Sequence, residues 1–330
     1  MDIVRLKEKL EEIPDPRRSW GNLWHKLEDI LVIGLATLLC NGSDFEDMEM
    51  FGREREAEFR KFLELPKGIP DESTFFRVFQ RIKPASLSAC LYSWLSEARE
   101  QYGRNINIDG KTICGSGSEE KNAVHVVSAW VGEEEIVLGQ LAVDEKSNEI
   151  TAIPKLLELF EVRGATITID AMGCQTEIAK KIREKKGNYI LAVKDNQKTL
   201  HQDIREYFEG LEQGAIRELP EDVWKTEEER KHGRVEQREV RSVTDIGWLE
   251  GKGAWKDLKT IIQYRSWRNG IMTDRYYISN ADISAMEFYQ CIRGHWSIEN
   301  RLHGSLDMVF GEDACKVSKG HAPENLNRPV

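Results

Sequence analysis

The pattern of apolar residues changes near residue 105, and this change constrains the fold more than any other feature of the chain. Before it, four stretches separated by Gly and Pro have the length and apolar spacing of helices: Asp29–Cys40, Asp44–Leu63, Ser73–Ile82 and Ser86–Gln101. They predict an all-helical N-terminal domain over residues 1–100, in which Ser73 caps the third helix. Both a plain bundle and a helix-turn-helix that enters a DNA groove fit this pattern.

Residues 101–330 predict a second domain, of the α/β class. Strand patterns come first, and helices and strands then alternate, which indicates a mixed sheet with helices on its faces. A β-rich insertion is expected over about 221–280, before a last helix at Ala285–Phe310. The strand patterns of this insertion are Arg234–Val243, Leu258–Tyr264 and Arg275–Ser279.

Composition and charge limit the classes of protein to consider. The longest apolar stretch, Ile30–Cys40, is shorter than a membrane span, and the charged segment Met1–Glu12 lacks the apolar core of a signal peptide. We therefore expect a cytoplasmic protein without a membrane partner, whose cysteines are free thiols. The formal net charge of −10 argues against coating nucleic acid by bulk charge, but it leaves room for local basic patches.

Two of the predicted strands end in an aspartate. Asp109 follows Ile108 and precedes Gly110, and Asp170 follows Ile169. Side-chain alternation puts each aspartate on the polar face of its strand. Ligands collect at strand ends in open α/β sheets, although an aspartate before glycine is also ordinary turn chemistry.

The last predicted helix carries a third carboxylate on its apolar side. Glu299 and His303 fall on the same stripe as four apolar residues: Ile292, Trp296, Leu306 and Phe310. A carboxylate there must be paired, protonated or bound to a metal, because an unpaired buried charge is costly. A salt bridge to Arg293 or Arg301 and a metal site are both open at this point.

The three carboxylates Asp109, Asp170 and Glu299 together predict a site for a hard cation. Mg²⁺ prefers oxygen ligands and keeps several waters, so a few carboxylates are the expected protein share, with Mn²⁺ as a possible substitute. Two such ions roughly 4 Å apart activate a water or a 3′-hydroxyl in phosphodiester displacement. His295, Glu299 and His303 also have a spacing that could bind Zn²⁺, although the H-E-x-x-H order of metalloproteases is missing.

Positive charge is concentrated in the predicted insertion. The basic residues there are Arg230, Lys231, Arg234, Arg238 and Arg241. A ribbon that carries them could contact DNA phosphates. The alternative is an edge strand that is kept soluble by its charge.

Four motifs in this chain resemble those of the insertion-sequence DDE transposases of bacteria, in the subgroup that includes the H-repeat-associated proteins. In chain order they are Ile108–Thr112 (IDGKT), Asp144–Ile150 (DEKSNEI), Thr168–Gln175 (TIDAMGCQ) and His295–Asn300 (HWSIEN). Residues 13–18 and 68–70 also resemble the helical domain that precedes the catalytic core in that family. The resemblance runs from about residue 8 to residue 326.

This resemblance implies an RNase H-like catalytic domain in which Asp109, Asp170 and Glu299 form the metal-binding triad. It implies Mg²⁺-dependent nicking of transposon ends and strand transfer of the freed 3′-hydroxyl into target DNA. It also implies a homodimer in the active complex and a nucleoid-associated location. A truncated, catalytically inactive DNA-binding remnant and a general metal nuclease are the alternatives.

The chain departs from related transposases around the glutamate. Ile292, His295 and Leu306 stand where related groups carry Tyr, Arg and Lys. A hairpin-forming mechanism is therefore not implied. The chain also ends at Val330, where the family usually continues into an apolar helix.

Overall fold

The computed structural model describes residues 3–17, 23–40, 42–98, 105–113, 123–133, 135–143, 149–216, 221–231, 234–308 and 320–326. The described chain before residue 99 forms helices and no strand; they are α1 (Ile3–Glu11), α2 (Leu27–Leu39), α3 (Phe45–Glu54), α4 (Glu56–Phe59), α5 (Glu72–Arg81) and α6 (Pro84–Ala98). Within the described ranges, no helix is long and apolar enough to cross a membrane.

These helices share one core, in which Met48, Phe75 and Phe79 are fully buried. Asp71, and not Ser73, caps α5, because its Oδ1 accepts a hydrogen bond from the Thr74 backbone N–H at 2.8 Å. The prediction of Ser73 as the cap was therefore wrong. The predicted helix Asp44–Leu63 is divided into α3 and α4, and α1 was not predicted.

The rest of the chain is built on one mixed sheet. Its strands are β1 (Asn105–Ile113), β2 (Val124–Val131), β3 (Ile136–Val143), β4 (Thr166–Ile169), β5 (Asn188–Val193), β6 (Glu221–Lys225), β7 (Glu229–Lys231), β8 (Arg234–Val243), β9 (Thr260–Arg268) and β10 (Ile271–Ser279). The strand order is β3-β2-β1-β4-β5-β10-β9-β8-β6, and β7 pairs with β8. The pairs β1–β4 and β4–β5 are parallel, and the other pairs are antiparallel.

Helices cover both faces of this sheet, which confirms the predicted mixed sheet flanked by helices. On one face, the main core includes residues of α7 (Glu149–Leu156), α8 (Thr176–Glu184) and α9 (Lys198–Glu212). On the other face lie α10 (Ala285–Ser297), a π-helix (Ile298–His303) and α11 (Gly304–Met308). A short helix, α12 (Ala322–Leu326), packs on α5 and α6.

The strands of the β-rich segment extend the main sheet and do not form a separate ribbon. Tyr276–Ser279 of β10 pairs antiparallel with Ile190–Val193 of β5. The hairpin β9–β10 is longer than predicted and turns at Asn269 and Gly270, which both have positive φ angles. An Asn-Gly pair is a strong signal for such a turn.

The last predicted helix is not continuous. It changes from α to π geometry at Ile298 and returns to α geometry at Gly304. Ser284 and Glu287 form a capping box at its start, which fixes where α10 begins. Phe310, at the predicted end, lies outside the described residues.

Candidate active site

Asp109 lies on β1, whose side chains alternate between the two faces of the sheet. Ile106 and Ile108 are buried in the core beneath α7, α8 and α9. Asn107 is on the opposite side, since its Oδ1 would lie 3.8 Å from a Cβ placed on Gly294 of α10. Asp109 shares this polar face, as the alternation predicts.

Asp170 follows directly after β4, which is the parallel neighbour of β1. Its Oδ1 accepts hydrogen bonds from the backbone N–H groups of Met172 at 3.0 Å and Gly173 at 3.3 Å. Asp170 therefore forms a turn, as one of the two interpretations of its sequence predicted; the other was a ligand site. These bonds hold the carboxylate in place and engage only one of its two oxygens.

Glu299 lies on the π-helix and is exposed, which corrects the expectation that it falls on a buried stripe. The π turn adds a residue and shifts the helical phase. Over the described side chains from Ile298 to Leu306, the buried positions are Ile298, Leu302 and Leu306, which pack against Trp130 and Val137. Because Glu299 is exposed, its charge does not need a salt bridge. Arg301, one of its two predicted partners, pairs with Glu135 at 2.9 Å.

One cleft of about 440 Å³ is lined by all three carboxylates, Asp109, Asp170 and Glu299. Its walls come from β1, β4, β5, β10, α10 and the π-helix. Other polar side chains in the cleft include Lys194, Asp195, Arg275 and His295. Residues that are far apart in the sequence therefore meet at one end of the parallel strands.

Burial is the main influence on the pKa of Asp109. Burial raises the pKa of Asp109 to about 7, and the negative charges of Asp170, Glu299 and Glu149 act in the same direction. A hydrogen bond from the Gly110 backbone N–H opposes this rise. A cation bound beside such a carboxyl group would stabilise its ionised form.

The donor set suits a hard cation, but the side chains do not form a closed cage. Among the described residues, no group of three or more His, Cys, Asp or Glu side chains is gathered closely enough to hold a metal ion. Mg²⁺ takes one or two carboxylates and keeps waters, so carboxylates spread around a cleft still match its chemistry. A single ion held by all three carboxylates would require them to lie closer together than they do here.

The two histidines of the α10 and π segments lie against different strands, His295 against β4 and His303 against β1. His295 Nδ1 lies 3.0 Å from Thr168 Oγ1, which itself donates to Asn107 Oδ1 at 2.7 Å. Burial lowers the pKa of His295 to about 4, so its imidazole is neutral. His303 Nδ1 lies 3.9 Å from Asp109 Oδ2, which brings the π-helix against β1.

A buried carboxylate behind β1 was not assigned a role from the sequence. Of the family-like segment Asp144–Ile150, only Glu149 and Ile150 lie within the described residues. Glu149 is buried at the start of α7, where a Cβ on Gly110 would lie 2.5 Å from its Oε1 and 2.5 Å from His125 Nε2. β1 continues through Gly110 to Ile113, so the prediction that this strand ends at Asp109 was wrong and no turn follows it. Gly110 is required by this close approach instead.

The basic residues of the β-rich segment are spread along its strands. Arg230 pairs with Glu228, Arg238 with Glu236, and Arg241 with Glu239. Arg234 is exposed, and the side chain of Lys231 lies outside the described part of the chain. Of the five, Arg238 lines a groove that adjoins the carboxylate cleft.

Comparison with known proteins identifies the family. Residues 90–326 match the family described as "Transposase DDE domain", and residues 7–95 match "DDE_Tnp_1-associated". The "H repeat-associated putative transposase YhhI" of Escherichia coli (strain K12) is 38% identical over 98% of this chain and 88% of its own length. The "Putative transposase YncI" of Escherichia coli O157:H7 is 39% identical over 99% of this chain and 85% of its own length.

The structure also aligns with a chain of a solved piggyBac transposase synaptic complex with hairpin DNA. The alignment covers 99% of this chain and 70% of the piggyBac chain, at 12% identity and a TM-score of 0.46. A likeness at this level supports no argument about function.

The matches define an enzyme class that acts on DNA. The chain belongs to the DDE transposases, in the subgroup of the H-repeat-associated proteins. The family and the function of DNA transposase that the motifs implied are thereby confirmed. Members of this family generally use divalent metal ions, and DNA is their partner.

Proposed function

We propose that the carboxylate cleft is the catalytic site of this transposase, and that Asp109, Asp170 and Glu299 hold Mg²⁺ there, with Mn²⁺ as a substitute. The observation that carries the proposal is that acidic side chains from β1, from the residue that follows β4 and from the π-helix line one cleft of about 440 Å³. The protein then nicks transposon ends and transfers the freed 3′-hydroxyl into target DNA.

Each carboxylate has a different support, which suggests a division of roles. Asp109 is fixed by the sheet and Asp170 by two backbone N–H groups. Glu299 is exposed, and its side chain is free to approach them. His295 and Thr168 hold α10 on the sheet and so keep the π-helix over the aspartates. When bound, the metal ions supply an activated oxygen nucleophile and stabilise the leaving oxygen.

We also propose that five neighbouring strands of the sheet, β1 to β5, form an RNase H-like core. Support comes from the strand order β3-β2-β1-β4-β5, with an antiparallel meander followed by two parallel strands. The proposed domains are an all-helical unit over residues 1–100 and a catalytic unit over 101–330 with a β-rich insertion at about 221–280. Holding two transposon ends together favours a homodimer, which would act on the nucleoid in the cytoplasm.

The basic residues of the β-rich segment remain proposed contacts to DNA phosphates. They are Arg230, Lys231, Arg234, Arg238 and Arg241. Arg238 is the best placed of the five, because it lines the groove beside the cleft. Carboxylates already neutralise Arg230, Arg238 and Arg241 in part.

The test uses a DNA duplex that carries the element's own terminal repeat. Asp170→Asn should abolish Mg²⁺-dependent nicking while it preserves the fold, as judged by circular dichroism and melting temperature. Asp195→Asn is the matched control, because Asp195 lines the same cleft but lies on the 3₁₀ turn Asp195–Gln197 and pairs with His201 at 3.2 Å. Nicking that is undiminished in Asp170→Asn would reject the assignment.

Wild-type protein separates the remaining alternatives in the same assay. Binding of the duplex without nicking in Mg²⁺ or Mn²⁺ would identify an inactive remnant. Nicking without joining to a second DNA would identify a general nuclease.

A further inference from the structure

A second groove adjoins the proposed catalytic cleft, between the β9–β10 hairpin and α10. It has a volume of about 590 Å³ and shares Arg275, Trp296 and Glu299 with the cleft. A polymer that lies in this groove therefore reaches Glu299 directly. The proposed site and the groove form one continuous surface.

Two arginines stack on Trp296 at the junction of the groove and the cleft. The Cζ atom of Arg275 lies 4.6 Å from the indole ring centroid, and that of Arg293 lies 4.7 Å from it. Trp296 packs edge-on against Tyr264, which is fully buried, at a centroid distance of 5.4 Å. Stacking on an anchored indole restricts each guanidinium but leaves its N–H groups able to bind an anion.

These two arginines differ from the other basic residues of the groove in their partners. Arg238 and Arg268 both form ion pairs with Glu236. Among the described residues, neither Arg275 nor Arg293 forms an ion pair with a carboxylate, and Arg275 is exposed. Two oriented cations therefore line the groove without a direct ion-pair partner, although the carboxylates of Glu236 and Glu299 also line it.

We propose that Arg275 and Arg293 form a phosphate clamp, which holds the sugar-phosphate backbone of the DNA strand that leads into the cleft. Guanidinium groups bind phosphate oxygens through two parallel N–H bonds. Contacts of this kind set the position of a strand without reading its bases. The inference rests on the proposed function, since that places the catalytic carboxylates at the end of the groove.

The test measures binding of the terminal-repeat duplex in metal-free buffer at several salt concentrations. Arg275→Gln and Arg293→Gln should each weaken binding roughly tenfold and lower the slope of log K against log salt by about 1. Arg301→Gln is the matched control, because Arg301 is exposed on the π-helix and pairs with Glu135 away from the groove. It should leave affinity and slope unchanged.

A second measurement distinguishes a phosphate contact from a structural effect. Trp296→Leu removes the stacking surface but no charge, so it should weaken binding and keep the wild-type salt slope. A second duplex replaces one phosphate at the contacted position by a neutral methylphosphonate. Wild type should bind this duplex more weakly than the unmodified duplex. Arg275→Gln should bind the two duplexes with equal affinity. Wild-type affinity and slope in both Gln variants would overturn the clamp.

The clamp and the catalytic assignment can fail separately. If Asp170→Asn still nicks DNA while Arg275→Gln loses binding, the catalytic assignment fails and the clamp stands. If Asp170→Asn is inactive while both Gln variants bind DNA normally, the clamp alone fails.

Discussion

Glu149 Oε1 lies 2.6 Å from His125 Nε2, and both side chains are almost fully buried behind the strand that carries Asp109. Thr112 Oγ1 lies 2.9 Å from the other ring nitrogen of His125, so both nitrogens are engaged. The pair joins the start of α7 to β1 and β2. It therefore supports β1 at the point where the proposed catalytic aspartate lies.

His125→Ala should destabilise the protein strongly. It leaves the Glu149 carboxylate buried without its partner, and breaking a buried pair in this way costs about 3 to 5 kcal/mol. Glu149→Gln should cost less, because an amide can still form a hydrogen bond with the imidazole. Urea denaturation measures both, with His321→Ala as the exposed control. Equal stability of His125→Ala and wild type would show that the pair contributes nothing.

Gly110→Ala should reduce both stability and nicking. The added Cβ would lie 2.5 Å from Glu149 Oε1 and His125 Nε2, so β1 or the buried pair must move. Overpacking of this kind costs about 1 to 3 kcal/mol, and the movement also displaces Asp109. Gly253→Ala is the control, since nothing lies within 4 Å of its added Cβ. A Gly110→Ala protein with wild-type melting and nicking would contradict this prediction.

The local part of the site could be predicted from the sequence, because strand alternation and turn chemistry are short-range. Asp109 and Asp170 were found in this way, and the Asn269-Gly270 turn carried a readable signal. Glu299 was placed on the wrong face, since no α-helical periodicity indicates where a π turn shifts the phase. The contacts of Trp296 with Arg275 and Tyr264, and the partner of Glu149, depend on pairing between distant elements, for which one sequence contains no local pattern.

Asp109 should make the metal-free protein less stable as the pH rises. Its pKa is about 7 in the folded chain against an ordinary value of 3.8, so the folded state binds more protons between these values. The stability that this proton contributes is fully present below pH 3.8 and is lost as the pH rises through 7. The loss amounts to about 4 kcal/mol. Melts in EDTA from pH 4 to pH 8 should show it.

The variant Asp109→Asn isolates this effect, because His295 titrates with the opposite sign. The pKa of His295 is lowered from 6.5 to about 4, so its contribution is lost as the pH falls. Subtracting the variant's curve from that of wild type cancels this part and leaves Asp109. Added Mg²⁺ should stabilise wild type more at pH 8 than at pH 5, since binding displaces the proton. Parallel curves for the two proteins would exclude Asp109 as the titrating group.

Asn325→Ala should loosen the helical region at the start of the chain, although the residue lies near its end. Its buried amide Nδ2 donates to the Phe79 carbonyl at 2.7 Å and to the Ile82 carbonyl at 3.0 Å, which closes the C-terminal end of α5. Losing both bonds should cost about 2 to 3 kcal/mol of unfolding free energy. Asn300→Ala, which removes one exposed bond to the Trp296 carbonyl, is the matched control and should cost less than about 1 kcal/mol. If the two variants unfold at the same denaturant concentration, α12 does not stabilise the N-terminal helices.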